Sequence, residues 1–142
     1  MATSTVKTYL DALVTLWAAD ADIGGGGSAV KKGPQVSLTK SQNVVVMPAD
    51  WERPVLGLDD YYEDKPAVEA HVAVKWADTE ANYDAFLDLC QACVDAVEAD
   101  RSLGSAYDLV ELTKCEWSKG PWILGDTQYR HAVLTFTASK EG

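Results

Sequence analysis

The chain has 142 residues, 47% hydrophobic and 24% charged, with 12 Lys and Arg against 22 Asp and Glu and a formal net charge of −10. That length suits a single domain, expected over residues 1–142, able to bury a core without disulfides or a structural metal. The acidic balance argues against a surface built to neutralise duplex phosphates, and no apolar run is long enough to cross a bilayer.

The first residues, "MATSTVKTYL", lack the charged, apolar and small-residue regions of a signal peptide. Three cysteines cannot all pair with one another, so the expected compartment is a reducing cytoplasm without a disulfide framework. Thr5 caps a first helix in which Val6, Leu10, Leu13 and Trp17 recur at helical spacing. Tyr9 and Leu16 widen the stripe, and the helix is expected over about 5–19.

The next stretch, "GGGGSAVKKGP", has no apolar period, and residues 24–33 are expected to form a flexible Gly-rich loop. A dinucleotide fingerprint on Gly24, Gly26 and Ala29 would have to follow a strand and open a helix. Here it follows a helix and runs into Lys-Lys-Gly-Pro. In "PQVSLTKSQNVVVMP", Val36 and Leu38 suggest a short alternating strand. Val44 to Met47 suggest a strand covered on both sides and stopped by Pro48. Residues 49–65 are acidic, aromatic and proline-punctuated, a long loop of the kind that tends to be functional or partner-bound.

Pro66 to Trp76 is the clearest strand. Val68, Ala70, Val72, Val74 and Trp76 share one face, with Glu69, His71 and Lys75 on the other. Asp78 or Thr79 then caps a second helix whose apolar series runs Tyr83, Phe86, Leu87, Cys90, Cys93, Val94, Val97. The C-x-x-C of Cys90 and Cys93 falls inside that series. A redox pair belongs at an exposed helix start, where the dipole lowers the thiol pKa, and zinc needs two more ligands at a regular spacing. Both cysteines therefore read as core. Past a terminator at Gly104, Tyr107 to Trp117 is a strand of mixed parity. Gln128 to Ala138 is a strand with Ala132, Leu134 and Phe136 on one face. The linking "SKGPWILGD" carries Trp122 and Ile123 near its tip, where an exposed pair suggests contact with a neighbour. The order predicts an α+β fold, two helices packed on one face of a mostly antiparallel sheet with long loops.

Chemistry is sparse. Nucleophile elbows, H-E-x-x-H, EF-hand loops and kinase signatures are absent. His71 and His131 lie on polar strand faces and could approach each other, and paired with a carboxylate they could form an acid–base site. Solvated surface histidines are the plainer alternative. The doublets Asp59–Asp60 and Glu63–Asp64 lack the spacing of a calcium loop and read as solvated.

The helix "TVKTYLDALVTLW", the strand "AVEAHVAVKW" entering the helix "YDAFLDLCQACVDAV", and the closing "YRHAVLTFTASK" make a layout across nearly the whole chain. That layout resembles the tail terminator family of long-tailed bacteriophages, also called tail-to-head joining or tail completion proteins. The Gly-rich stretch 24–33 departs from the family pattern, which has no catalytic motif to match.

The resemblance implies a structural virion protein of the head–tail junction, assembled in the host cytoplasm, with no enzyme activity, cofactor or metal. It implies a homohexameric ring that caps the tail tube protein, stops polymerisation and presents a surface to the head connector or stopper. Genome DNA would pass through the lumen without specific binding, which negative charge favours. Trp51, Arg53, Tyr61, Tyr62, Trp122 and Ile123 are the candidate interface residues, because large side chains in loops anchor interfaces once desolvated. A neck or head-closure protein of similar layout, or a zinc-dependent enzyme using Cys90, Cys93, Cys115 and the histidines, are the alternatives.

Overall fold

Alternation of apolar and polar residues in two long segments builds the centre of the sheet. The structure, a computed structural model, describes residues 5–53 and 63–141. In chain order it consists of α1 (Thr5–Ala19), β1 (Ala29–Lys32), β2 (Gln42–Glu52), β3 (Glu63–Lys75), α2 (Glu80–Ala99), β4 (Leu109–Trp117), β5 (Trp122–Leu124) and β6 (Thr127–Glu141). The six strands form one sheet in the order β1-β2-β3-β6-β4, with β5 also paired to β6. Only β1 runs parallel to its neighbour; every other pairing is antiparallel. This is the expected α+β architecture, two helices with a mostly antiparallel sheet.

The register explains the core. Val68, Ala70 and Val72 on β3 stand opposite Phe136, Leu134 and Ala132 on β6, so their side chains emerge on one face. That face is covered by Tyr9, Leu10, Leu13 and Trp17 of α1 and by Phe86, Leu89, Cys90, Cys93, Ala96 and Val97 of α2. The Trp17 ring meets Phe136 at 5.4 Å, and its indole N–H donates to the Cys93 carbonyl at 3.1 Å. That bond satisfies a buried donor and fixes α1 against α2.

Helix α2 begins where expected: the Thr79 hydroxyl accepts from the Asn82 amide at 3.1 Å. Its buried stripe is turned, however, from the one the apolar series suggests. Leu89 and Ala96 are buried, while Tyr83 is 48% exposed and lies under the Arg130 guanidinium. The helix packs against α1 as well as the sheet, so the Leu89–Ala96 flank is drawn inward.

Four expectations are corrected. The glycine segment is not an open loop: Gly24 donates to Trp17 O, Gly25 to Asp20 O and Ser28 to Ile23 O. Ile23 is fully buried, and Ala29–Lys32 add a parallel strand beside β2. Gly24 is required by close approach, since a Cβ there would lie 2.0 Å from Ala18 O. Val36 and Leu38 form no strand and Val36 is 89% exposed, because β1 occupies the ladder position beside β2. Pro48 does not stop its strand; β2 continues to Glu52 through a register shift between Pro48 and Trp51. With β3 starting at Glu63, both ends of the expected 49–65 loop are strand, and residues 54–62 between them lie outside the described residues.

The mixed parity of Tyr107 to Trp117 has a simple cause. A bulge between Leu112 and Lys114 shifts the register, and Thr113 Oγ1 donates to Thr135 O at 3.2 Å. Trp76 lies just beyond β3 and stacks under Arg130 at 4.1 Å rather than completing the core face.

Candidate functional site

The candidate interface residues fall at the two ends of the sheet. At one end β2 places Trp51, 51% exposed, opposite Pro66 at the start of β3. The Arg53 guanidinium lies 5.0 Å from the Trp51 ring centre. It donates twice to Asp64, Nε to Oδ1 at 2.5 Å and Nη2 to Oδ2 at 3.2 Å, while Trp51 Nε1 donates to Oδ1 at 3.3 Å. Asp64 is therefore not part of a solvated doublet. It is a nearly buried carboxylate that gathers Trp51 and Arg53 into one fixed group. Tyr61, Tyr62, Asp59 and Asp60 lie outside the described residues.

At the other end the β5 hairpin carries Trp122 and Ile123. Ile123 projects and is 59% exposed. Trp122 instead folds back over the sheet and stacks on His131, ring centres 4.2 Å apart and planes 24° from parallel. Trp122 pairs with Tyr129, opposite Lys75, so its backbone stands about 35 Å from Asp64 along β3, while its ring folds back beside His71, about 23 Å from Asp64. The structure makes two separate patches of the two groups.

Between Trp122 and the sheet lies a polar chain. On the face away from the helices, Ser118 Oγ meets His131 Nδ1 at 2.6 Å. His131 Nε2 meets His71 Nδ1 at 2.8 Å, and His71 Nε2 meets Glu69 Oε2 at 3.1 Å. One assignment satisfies every atom. Ser118 donates to His131 Nδ1, His131 Nε2–H donates to His71 Nδ1, and His71 Nε2–H donates to the carboxylate. Burial, and secondarily the neighbouring His71, push the His131 pKa down to about 4.

The histidines were legible as candidates that could approach each other, and the register brings them together: His131 stands opposite Ala73, two residues from His71. Ser118 was not legible as their partner. Its place depends on the turn after β4, where its amide also donates to His131 O at 3.0 Å.

The cysteines give no reactive centre. Cys93 is fully buried and Cys90 nearly so, and burial pushes the Cys90 thiol up to about 12 and Cys93 higher still. Half-buried Cys115 sits on β4, its pKa also raised by desolvation. Among the described residues no group of three or more His, Cys, Asp or Glu side chains is arranged to hold a metal, and no helix is long and apolar enough to cross a membrane.

No protein-family model matches this sequence, and no curated protein matches it significantly. Solved structures do. One chain of the virion of a native gene transfer agent particle superposes with a TM-score of 0.53 at 15% identity, over 99% of this chain and 100% of its own length. At that identity the likeness is one of fold, shared from end to end.

Proposed function

We propose that this chain is a structural subunit of a phage-like virion, acting as a tail terminator at the head–tail junction. The observation that carries the reading is the likeness to a chain of the gene transfer agent virion, over 99% of this chain and 100% of that one. Two features fit it. The chain offers two patches at opposite ends of one rigid sheet, Trp51 with Arg53 and Trp122 with Ile123, as a joint between two different partners requires. Strand β4 also ends the strand path and carries half-exposed Leu112 and Trp117; past Val110, whose amide donates to Arg101 O, it is an edge that no further strand covers among the described residues, of the kind a neighbouring copy in a closed ring can meet.

In this reading the subunits form a hexameric ring. One patch end caps the tail tube protein and the other faces the head connector or stopper, and the genome passes through an acidic lumen. No residue is assigned a catalytic role. The test is electron microscopy of particles from cells lacking this gene. Overlong, headless tails support termination. Tails of normal length without heads shift the role to a neck or head-closure protein of the same fold. Intact particles overturn the reading.

A further inference from the structure

The chain Glu69–His71–His131–Ser118 is absorbed by no part of the structural reading, and it underlies the β5 hairpin, which carries the candidate docking residues Trp122 and Ile123. Two imidazoles joined by a direct N–H···N bond have an unusual property. With both neutral, one proton lies between them, and both outer nitrogens are matched by Ser118 and Glu69. One added proton is also accommodated. His71 becomes doubly protonated beside Glu69, donates back to His131 Nε2, and His131 turns its own N–H toward Ser118 Oγ. A second proton has no place. Nε2–H and Nδ1–H would then point at each other across 2.8 Å, on two cations.

We propose that this pair is a proton-operated latch, holding the β5 hairpin on the sheet while the two rings share at most one added proton and releasing it when both are protonated. Ser118 joins His131 to the first residue after β4, and Trp122 stacks on the same ring from β5, so both sides of the hairpin are tied to His131. Losing the ring pair loosens both.

The surroundings set the response. On β3 the charged neighbours are Glu69 and Lys75, and on β6 the titratable one is Tyr129. On β4, Glu116 lies opposite Val133, which itself stands opposite His71, and its charge is shared with Lys114 at 3.2 Å. The hairpin contributes Lys119 and Asp126. Strand β2 places Val45 opposite His71 and Asn43 opposite Ala73, with no charge. Glu69 thus meets the ring pair on the His71 side, and among the described residues no carboxylate hydrogen-bonds to His131.

The sign follows. The latched state holds a proton on His131 less readily than an open one, where the ring titrates near its ordinary 6.5. The latch is at full strength above 6.5 and weakens as pH falls toward about 4. It rests on this geometry and stands or falls separately from the virion reading.

Amide hydrogen exchange of the intact chain, corrected for intrinsic rate, tests it. Between pH 6.5 and pH 4 the amides of Trp122 to Leu124 should lose protection by at least about tenfold, while those of Val72 and Leu134 hold. His71→Gln keeps an acceptor for His131 Nε2–H and removes the second ring; burial of His131 remains, so its hairpin should still lose some protection but clearly less than the wild type. A 15N–15N coupling between His131 Nε2 and His71 Nδ1, present at neutral pH and gone in acid, would report the bond itself. Equal protection at both pH values, a His71→Gln hairpin that follows the wild type, or central amides failing in step with the hairpin would each overturn the latch.

Discussion

The two faces of the β3–β6 pair are built from alternate residues of the same strands and do different work. Val68, Ala70, Val72, Ala132, Leu134 and Phe136 point to the helices and are buried without a polar atom among their side chains. Glu69, His71, His131, Thr135 and Thr137 point the other way, into a polar and partly open layer. Stability is concentrated on the first face, where each side chain is enclosed and every lost methylene leaves a cavity. The second holds the histidine chain, where side chains can change partners without disturbing the core.

Substitutions sharpen that contrast. Trp17→Ala should be the most damaging, costing about 3–5 kcal/mol by denaturant unfolding, because it empties the space against Phe136 and leaves the Cys93 carbonyl without its donor. Gly24→Ala should follow at about 1–3 kcal/mol, since the new methyl meets Ala18 O and the turn must shift. A thermal midpoint unchanged by Gly24→Ala would return the segment to the flexible loop that its composition suggests. Cys93→Ala should cost on the order of 1 kcal/mol through lost packing alone. Zinc bound stoichiometrically by the wild type and lost in a Cys90→Ala, Cys93→Ala chain would instead make the pair a metal site. Ile123→Asp, at an exposed position on β5 opposite Gln128, should stay within about 0.5 kcal/mol of the wild type while weakening whatever docks there.

How legible each feature was in the sequence follows from how local its cause is. Helix α1, the core faces of β3 and β6 and a cap at Asp78 or Thr79, which falls to Thr79, were all readable, because each depends on residues within a few positions of one another. The burial of Cys90 and Cys93 was readable for the same reason. What failed depended on neighbours distant in sequence. Val36 and Leu38 have the alternation of a strand, but β1 had already taken the edge of β2. Pro48 ends a strand by local rules, yet a bulge carried β2 past it. Four glycines signal freedom by composition, whereas Gly24 is there because helix α1 leaves no room for a side chain.

The candidate interface was readable only as residue types. Trp51, Arg53, Trp122 and Ile123 could be singled out as large or charged groups near chain reversals. Their separation to opposite ends of the sheet depends on the β3–β6 register, and the attachment of Trp122 to His131 on the fold of the hairpin. Ser118 carried no signal at all, being one of many serines until the hairpin places it beside His131.

The account rests most on the chain being a built-in part of a particle. Quantitative mass spectrometry of purified particles from cells that carry this gene addresses that directly. The account predicts this chain in every particle, at a fixed ratio equal to one ring against the tail tube protein, and resistant to washing in salt. Its absence from purified particles, or a trace amount that varies between preparations, would contradict it.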